Sequence, residues 1–174
     1  MTEVIKANIA DLKILREICI RAYSTSFAHH WIENGLELDT AEQFNENRLS
    51  DEVKNIAFDY FFIRKEGENI GFAKFKNETD QELSDLDNCE FEKLYVLPDL
   101  CGQGIGTYVF KHMIQIAKNR NKKQMYLCVI DTNENAIGLY KKLGFEYHSK
   151  TRLDAPFFRE ELRGMHRMVL NLGK

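Results

Sequence analysis

The sequence predicts a mixed α/β (α+β) fold, a sheet flanked by helices, built as one domain over residues 1–174. Three observations lead there. Strand-length apolar runs interleave with amphipathic helical stretches, and two of those runs are separated only by the short turn Lys65-Glu66-Gly67-Glu68. Nothing in the chain serves as a flexible linker, since it has two prolines, Pro98 and Pro156, and no Ser/Pro-rich segment. With 174 residues, 44% hydrophobic and 29% charged, the chain can build one packed core and is too ordinary for a disordered, collagen-like or fibrous protein.

The elements follow in order. A strand is expected around residues 3 to 7. Asn8, with Asp11 three residues on, then caps a helix running to about Phe27, whose Leu12, Leu15, Cys19, Ala22 and Tyr23 share a face. The polar stretch from His29 to Asn55 holds the only tryptophan, Trp31, and a helix is expected from Thr40 to Leu49. Ala57 to Ile63 and Ile70 to Lys76 form a hairpin about the Lys65–Glu68 turn. Seven acidic residues and no basic one (Glu78, Asp80, Glu82, Asp85, Asp87, Glu90 and Glu92) precede a third strand through Phe91 to Leu97. Beyond Pro98, Ile105, Val109, Met113 and Ala117 recur every fourth residue, the mark of a helix, and Lys118, Arg120, Lys122 and Lys123 suit its C-terminal dipole. Met125 to Ile130 is apolar on both faces, as a central strand is. Asn133 caps a helix that Gly144 stops, and Phe145 to Ser149 and Met165 to Leu172 read as the last strands. The expected order is strand, one or two helices, three strands, helix, strand, helix, two strands.

The net charge of −3 argues against a general nucleic-acid binder, but it hides a division. Residues 1 to 97 hold 11 basic and 20 acidic side chains, and residues 98 to 174 hold 13 basic and 7 acidic. Such a chain suits one anionic and one cationic ligand, although solvated helix faces alone produce the same numbers. Cys19, Cys89, Cys101 and Cys128 form no C-x-x-C pair, which fits free intracellular thiols. The start Met-Thr-Glu-Val-Ile-Lys has no signal-peptide pattern, and no apolar run reaches the ~18 residues of a membrane span, so a cytoplasmic protein is expected. His29, His30, His112, His148 and His166 lack ligand spacing, and no metal site is expected.

The most informative segment is Cys101-Gly102-Gln103-Gly104-Ile105-Gly106. Three glycines at alternate positions between a strand and a helix can expose several backbone N–H groups to a phosphate, or can simply make a tight turn. Two nucleotide motifs are excluded. G-x-G-x-x-G would need glycine where Thr107 stands, and the P-loop's Gly-Lys-Ser/Thr ending is absent.

Together, Leu94-Tyr95-Val96-Leu97-Pro98, Gly102-Gln103-Gly104-Ile105-Gly106, Asn133-Glu134-Asn135-Ala136-Ile137 and Leu139-Tyr140-Lys141-Lys142-Leu143-Gly144-Phe145 resemble the signature of the GNAT superfamily of N-acetyltransferases. The close likeness covers about Glu90 to Glu146. The run from Arg120 through Lys142 most resembles the PaiA-type bacterial polyamine (spermidine/spermine) N-acetyltransferases.

The resemblance implies a mostly antiparallel sheet and acetyl-CoA as acetyl donor. Backbone around Leu94, Tyr95 and Val96 would pair with the pantetheine arm, and amides from Gly102, Gln103, Gly104, Ile105, Gly106 and Thr107 would hold the pyrophosphate. Cys101 departs from the family's usual Arg or Gln, which implies weaker anchoring. Asn133, with Ala136 beside it, would meet the pantetheine arm, and Lys142 a cofactor phosphate or only solvent. Tyr140 matches the usual general acid, since a phenol of pKa about 10 can protonate a leaving thiolate; its spacing also suits an ordinary aromatic of the inner helix face.

Deprotonating a lysine-like amine at pH 7 costs about 4.6 kcal/mol, so a proton acceptor is needed. Glu92 matches the polyamine-acetyltransferase pattern and ranks ahead of Glu90; the two share a face unless a bulge intervenes, and action through water is expected. The reading is direct transfer to a primary amine, preferably a polyamine drawn by Glu33, Glu37, Asp39 and the Glu78–Glu92 run. Other acceptors (a protein, peptide, amino acid or aminoglycoside) and a non-catalytic acyl-CoA sensor are the alternatives. No nucleic-acid or membrane partner is expected, and the chain is a monomer or homodimer.

Overall fold

The computed structural model describes residues 1–78, 80–83 and 87–173. In chain order, β1 (Thr2–Lys6) precedes three helices, α1 (Leu12–Phe27), α2 (Gly35–Gln43) and α3 (Glu46–Lys54). Then come β2 (Phe58–Lys65), β3 (Glu68–Lys76), β4 (Asn88–Val96), α4 (Ile105–Asn119), β5 (Gln124–Ile130), α5 (Glu134–Lys142), β6 (Glu146–Arg152) and β7 (Gly164–Asn171). The strands form one sheet ordered β1-β2-β3-β4-β5-β7-β6. All neighbours are antiparallel except β4 and β5.

That exception positions the site. β4 and β5 run parallel and are paired only through Asn88 with Gln124, Cys89 with Met125 and Glu90 with Tyr126. Beyond Glu90 the two strands part. Phe91–Val96 then has β3 on one side and, among the described residues, no strand on the other.

Two apolar layers sandwich the sheet. On one face α4 buries Ile105, Val109, Met113 and Ala117, the four residues whose spacing predicted it, against Phe75, Phe91, Met125 and Leu127. On the other, α1 packs Leu15, Ile18, Cys19 and Ala22 over Phe62 and Phe72, with Phe44 and Leu49 from the helices that follow. The β2–β3 turn is formed at Glu66 and Gly67, both at positive φ (52° and 87°), the twist a two-residue hairpin requires. Gly71 permits a close approach, since a Cβ there would collide with the Tyr95 carbonyl oxygen and crowd the Val96 Cα.

Three expectations are corrected. The helix expected over Thr40–Leu49 is two helices broken at Phe44-Asn45, making three between β1 and β2. The Asn45 side chain accepts from the Arg48 N–H at 2.8 Å and starts α3, while Phe44 is fully buried edge-on to Phe72. β4 begins at Asn88 rather than Phe91, because Asn88, Cys89 and Glu90 take β5 as partner. The Asn8–Asp11 capping box forms as expected, but it starts a 3₁₀ turn ahead of α1.

Candidate active site

The glycine loop lies where the parted edge of β4 runs into α4. Gly102 and Gly104 sit at φ 79° and 77°, and a Cβ at either would meet open space; the left-handed backbone, not crowding, is what calls for glycine. Gly104 is the N-cap of α4, so the N–H groups of Ile105, Gly106 and Thr107 open the helix without intrahelical acceptors. The turn is exposed from Cys101 through Gly104. Gln103 is held by the Lys65 ammonium at 2.7 Å, and the Cys101 thiol lies 3.9 Å from the Leu97 carbonyl. Leu94, Tyr95 and Val96 form the edge leading to this loop. Parallel donors at a helix N-terminus, reached along an unpaired strand edge, make a fitting cradle for a phosphate-bearing chain with amide groups.

α5 stands beyond β5. The Asn133 side-chain oxygen Oδ1 caps it, accepting from the Ala136 N–H at 3.2 Å. Ala136 and Tyr140 pack on the α4-side core, the Tyr140 ring 5.0 Å from that of Phe110. Burial, and next the neighbouring Tyr95, push the Tyr140 phenol well above its usual pKa. Lys142 is exposed in the last helical turn.

The carboxylates stand on β4. The β3–β4 register passes from Lys74 opposite Lys93 to Phe75 opposite Phe91, so Glu92 is the extra residue of a bulge. Because the bulge falls at Glu92 itself, Glu90 and Glu92 still share the α1–α3 face, and Lys93 is turned onto it as well. Glu92 is gripped by two ammoniums: Lys74 at 3.1 Å from Oε2 and Lys93 at 3.1 Å from Oε1. Burial would raise its pKa, but the charges of Lys93 and then Lys74 outweigh it and hold the group below the usual carboxylate range. Glu90 accepts from the Tyr126 hydroxyl at 3.1 Å, at the point where the strands part. Burial and then the negative charge of Glu92 push its carboxyl up.

Several residues of this face escaped the sequence reading. Lys74 (2% exposed) also meets Glu52 Oε2 of α3 at 3.0 Å, and Glu52 is held by the Tyr60 hydroxyl and by Arg48 at 3.2 Å. The available signal was a lysine in line with Phe72 on a strand otherwise buried. The Tyr23 hydroxyl donates to Asp39 at 2.8 Å, and its ring stands edge-on to Tyr95 at 5.2 Å. The Tyr95 ring packs against Tyr23, Phe27 and Phe72, and the charges of Lys93, Glu92 and Asp39 act on its phenol. The aromatic wall continues through Phe27, His30, Trp31 and Phe158. Trp31 and Phe158 are buried and bridged to each other, while Phe157, at φ 63°, is partly exposed. Thus Trp31 and Phe158 tie the α1–α2 connection to the β6–β7 connection over this face.

The acidic run expected to draw a cation is largely occupied. Asp80 pairs with Arg167 and Asp87 with Lys122, while Asp85 lies outside the described residues. Glu33 and Glu37 stay exposed, with Asp39 half-buried beside them. No helix among the described residues is long and apolar enough to cross a membrane.

Residues 17–145 match the model of the acetyltransferase (GNAT) family. Among curated proteins, mouse thialysine N-epsilon-acetyltransferase is 44% identical over 57 residues, 33% of this chain and 34% of that protein, so the match spans about a third of the relative's length. Among solved structures, the PaiA N-acetyltransferase from Thermoplasma acidophilum in complex with coenzyme A superimposes with a TM-score of 0.75 at 20% identity, covering 98% of this chain and 99% of that one. A mutant of the spermidine N-acetyltransferase SpeG from Vibrio cholerae gives 0.70 at 14% identity, covering 98% and 94%. With a family match across most of its length, and the parted β4–β5 pair and glycine turn in one fold, this chain belongs to the acetyltransferase (GNAT) family.

Proposed function

We propose that the protein transfers acetyl from acetyl-CoA to a primary amine by direct attack, with a polyamine such as spermidine or spermine as preferred acceptor. The observation that carries the reading is the opening of β4 from β5 after Glu90, with the glycine turn beyond its end. Acetyl-CoA would supply a thioester carbonyl to the amine. The β4 edge over Leu94–Val96 would orient it, the N–H groups from Gly102 to Thr107 would hold its phosphates, and the Asn133 amide and Ala136 would meet its arm. Lys142, exposed, would add only charge.

On the acceptor side the two carboxyls are driven apart, which separates their tasks. Glu92, held as an anion by Lys74 and Lys93, orients the amine and the water beside it; Glu90, ranked second from the sequence, is the stronger base and takes the proton in its place. Tyr140 keeps its proton at rest because its pKa is raised, and its hydroxyl is the proposed donor to the leaving thiolate. Asp39, with Glu33 and Glu37 outside it, supports a second cationic centre on the acceptor.

A lysine-like amino acid is the second reading. It is favoured by the likeness to the mouse thialysine enzyme and by Lys93, an ammonium suited to a carboxylate on the acceptor. The test is a CoA-release assay with spermidine, spermine, thialysine, other amino acids, aminoglycosides and peptides. Polyamine turnover well above the rest is expected. Turnover of thialysine without polyamines selects the second reading, and no turnover with any amine overturns both.

A further inference from the structure

A lysine in the middle of a sheet is costly unless its charge is used. Lys74 is such a residue: 2% exposed, two residues from the end of β3, its ammonium 4.8 Å from the Phe58 ring centroid and 5.5 Å from that of Tyr60. It lies between two carboxylates from different elements, Glu52 of α3 at 3.0 Å and Glu92 of β4 at 3.1 Å. Glu52 is itself fixed by the Tyr60 hydroxyl from β2 and by Arg48 one turn back on α3. The result is a line of alternating charges, Arg48, Glu52, Lys74, Glu92 and Lys93, running from the helix surface to the acceptor face.

We propose that Lys74 is a positioning residue, braced by Glu52 and Tyr60, that fixes the Glu92 carboxylate as an anion on the acceptor face. The kinetic part rests on the reading of Glu92 given above. The groups around Glu92 are Lys74 from β3, Glu52 from α3 beyond it, Tyr60 from β2, Lys93, Glu90 and Tyr95 from β4, Cys19 from α1, and Asp39 from α2 beside Lys93 and Tyr95. Lys93 is the other ammonium on Glu92 itself, with Arg48 beyond Glu52 and Lys76 acting on Glu90, so removing Lys74 leaves Glu92 one direct cationic partner.

The sign of the effect distinguishes positioning from bulk stability. Lys74→Met removes a cation, so the Glu92 carboxyl, followed by carbon-13 NMR across pH in the full-length protein, should titrate about one unit or more higher. Glu52→Gln removes an anion beyond the lysine and should move Glu92 the other way; general loosening of the fold would move both variants alike. Lys74→Arg, which keeps the charge, should restore the original midpoint. If Lys74→Met does not fold, Lys74→Gln, with a polar head and no charge, carries the same expectation. An unshifted Glu92 midpoint in the uncharged variant, or shifts of the same sign in it and in Glu52→Gln, overturns the proposal. Amine KM should also rise more than kcat falls in Lys74→Met. A shifted midpoint with unchanged amine kinetics upholds Lys74 as the anchor of Glu92 and removes Glu92 from the reaction.

Discussion

Tyr140 is proposed as acid from a contiguous motif and Glu92 from its place on the third strand; the groups that the fold sets around them were not legible in the sequence. Tyr140→Phe keeps the ring packed against Phe110 and removes the hydroxyl alone. Calorimetry should therefore find acetyl-CoA bound with nearly unchanged affinity, while CoA release falls roughly 100-fold or more. Unchanged turnover would remove Tyr140 as the acid. Glu92 shows the limit of reading along the chain. Lys93 is its neighbour in sequence, but its other partner, Lys74, is 18 residues away and reaches it only through the β3–β4 pairing, while Glu52 comes to Lys74 from α3. A lysine following Phe72 and Ala73 could have flagged a buried charge, yet nothing local says which anion meets it.

At the scale of single elements, those fixed by neighbours in sequence emerged nearly as expected. The four-residue repeat gave α4, and Glu66-Gly67 gave the hairpin. Elements whose limits depend on distant partners did not. α2 and α3 read as one helix because Asn45 is unremarkable until its side chain is seen capping the second; Asn45→Ala should cost about 1 kcal/mol, read as a lowered denaturation midpoint. The start of β4 likewise depends on β5, which lies across α4 in sequence. Gly71 gives the sharpest test of the β3–β4 pair. Gly71→Ala drives a methyl group into the Tyr95 carbonyl, so about 1–3 kcal/mol of stability should be lost and acetyl-CoA affinity should fall with it, as the Leu94–Val96 edge is displaced.

Across the whole molecule, the charge division seen in the sequence acquires a different meaning. Three acids of the first part, Asp59, Asp80 and Asp87, take basic partners from the second: Arg120, Arg167 and Lys122. Asp59, 4% exposed, takes Lys6 of β1 at 2.5 Å and Arg120, just past α4, at 2.6 Å, clamping three distant parts of the chain. Burial pushes the Asp59 carboxyl up, but hydrogen bonds from Lys6, Asn77 and Arg120 outweigh it and hold its pKa down. Its stabilising contribution is therefore complete above the unfolded value of about 3.9 and is lost as pH falls through the lower folded value. Asp59→Asn should flatten the loss of stability in that acid range, as denaturant midpoints against pH would record. Glu33 and Glu37, exposed, and half-buried Asp39 on the proposed acceptor side carry attraction that salt should screen. KM for spermine should rise with ionic strength more steeply than KM for a monoamine. The parting of β4 from β5 has a mechanical consequence as well. Between the β1–β4 and β5–β7 portions of the sheet the backbone hydrogen bonding thins to three residue pairs, so the fold carries a seam. A bound acetyl-CoA laid along that seam would stitch it. The amides of Phe91 to Val96 should then exchange with solvent markedly more slowly in the complex, and saturating ligand at about 100 times its Kd should add about 2.7 kcal/mol to unfolding.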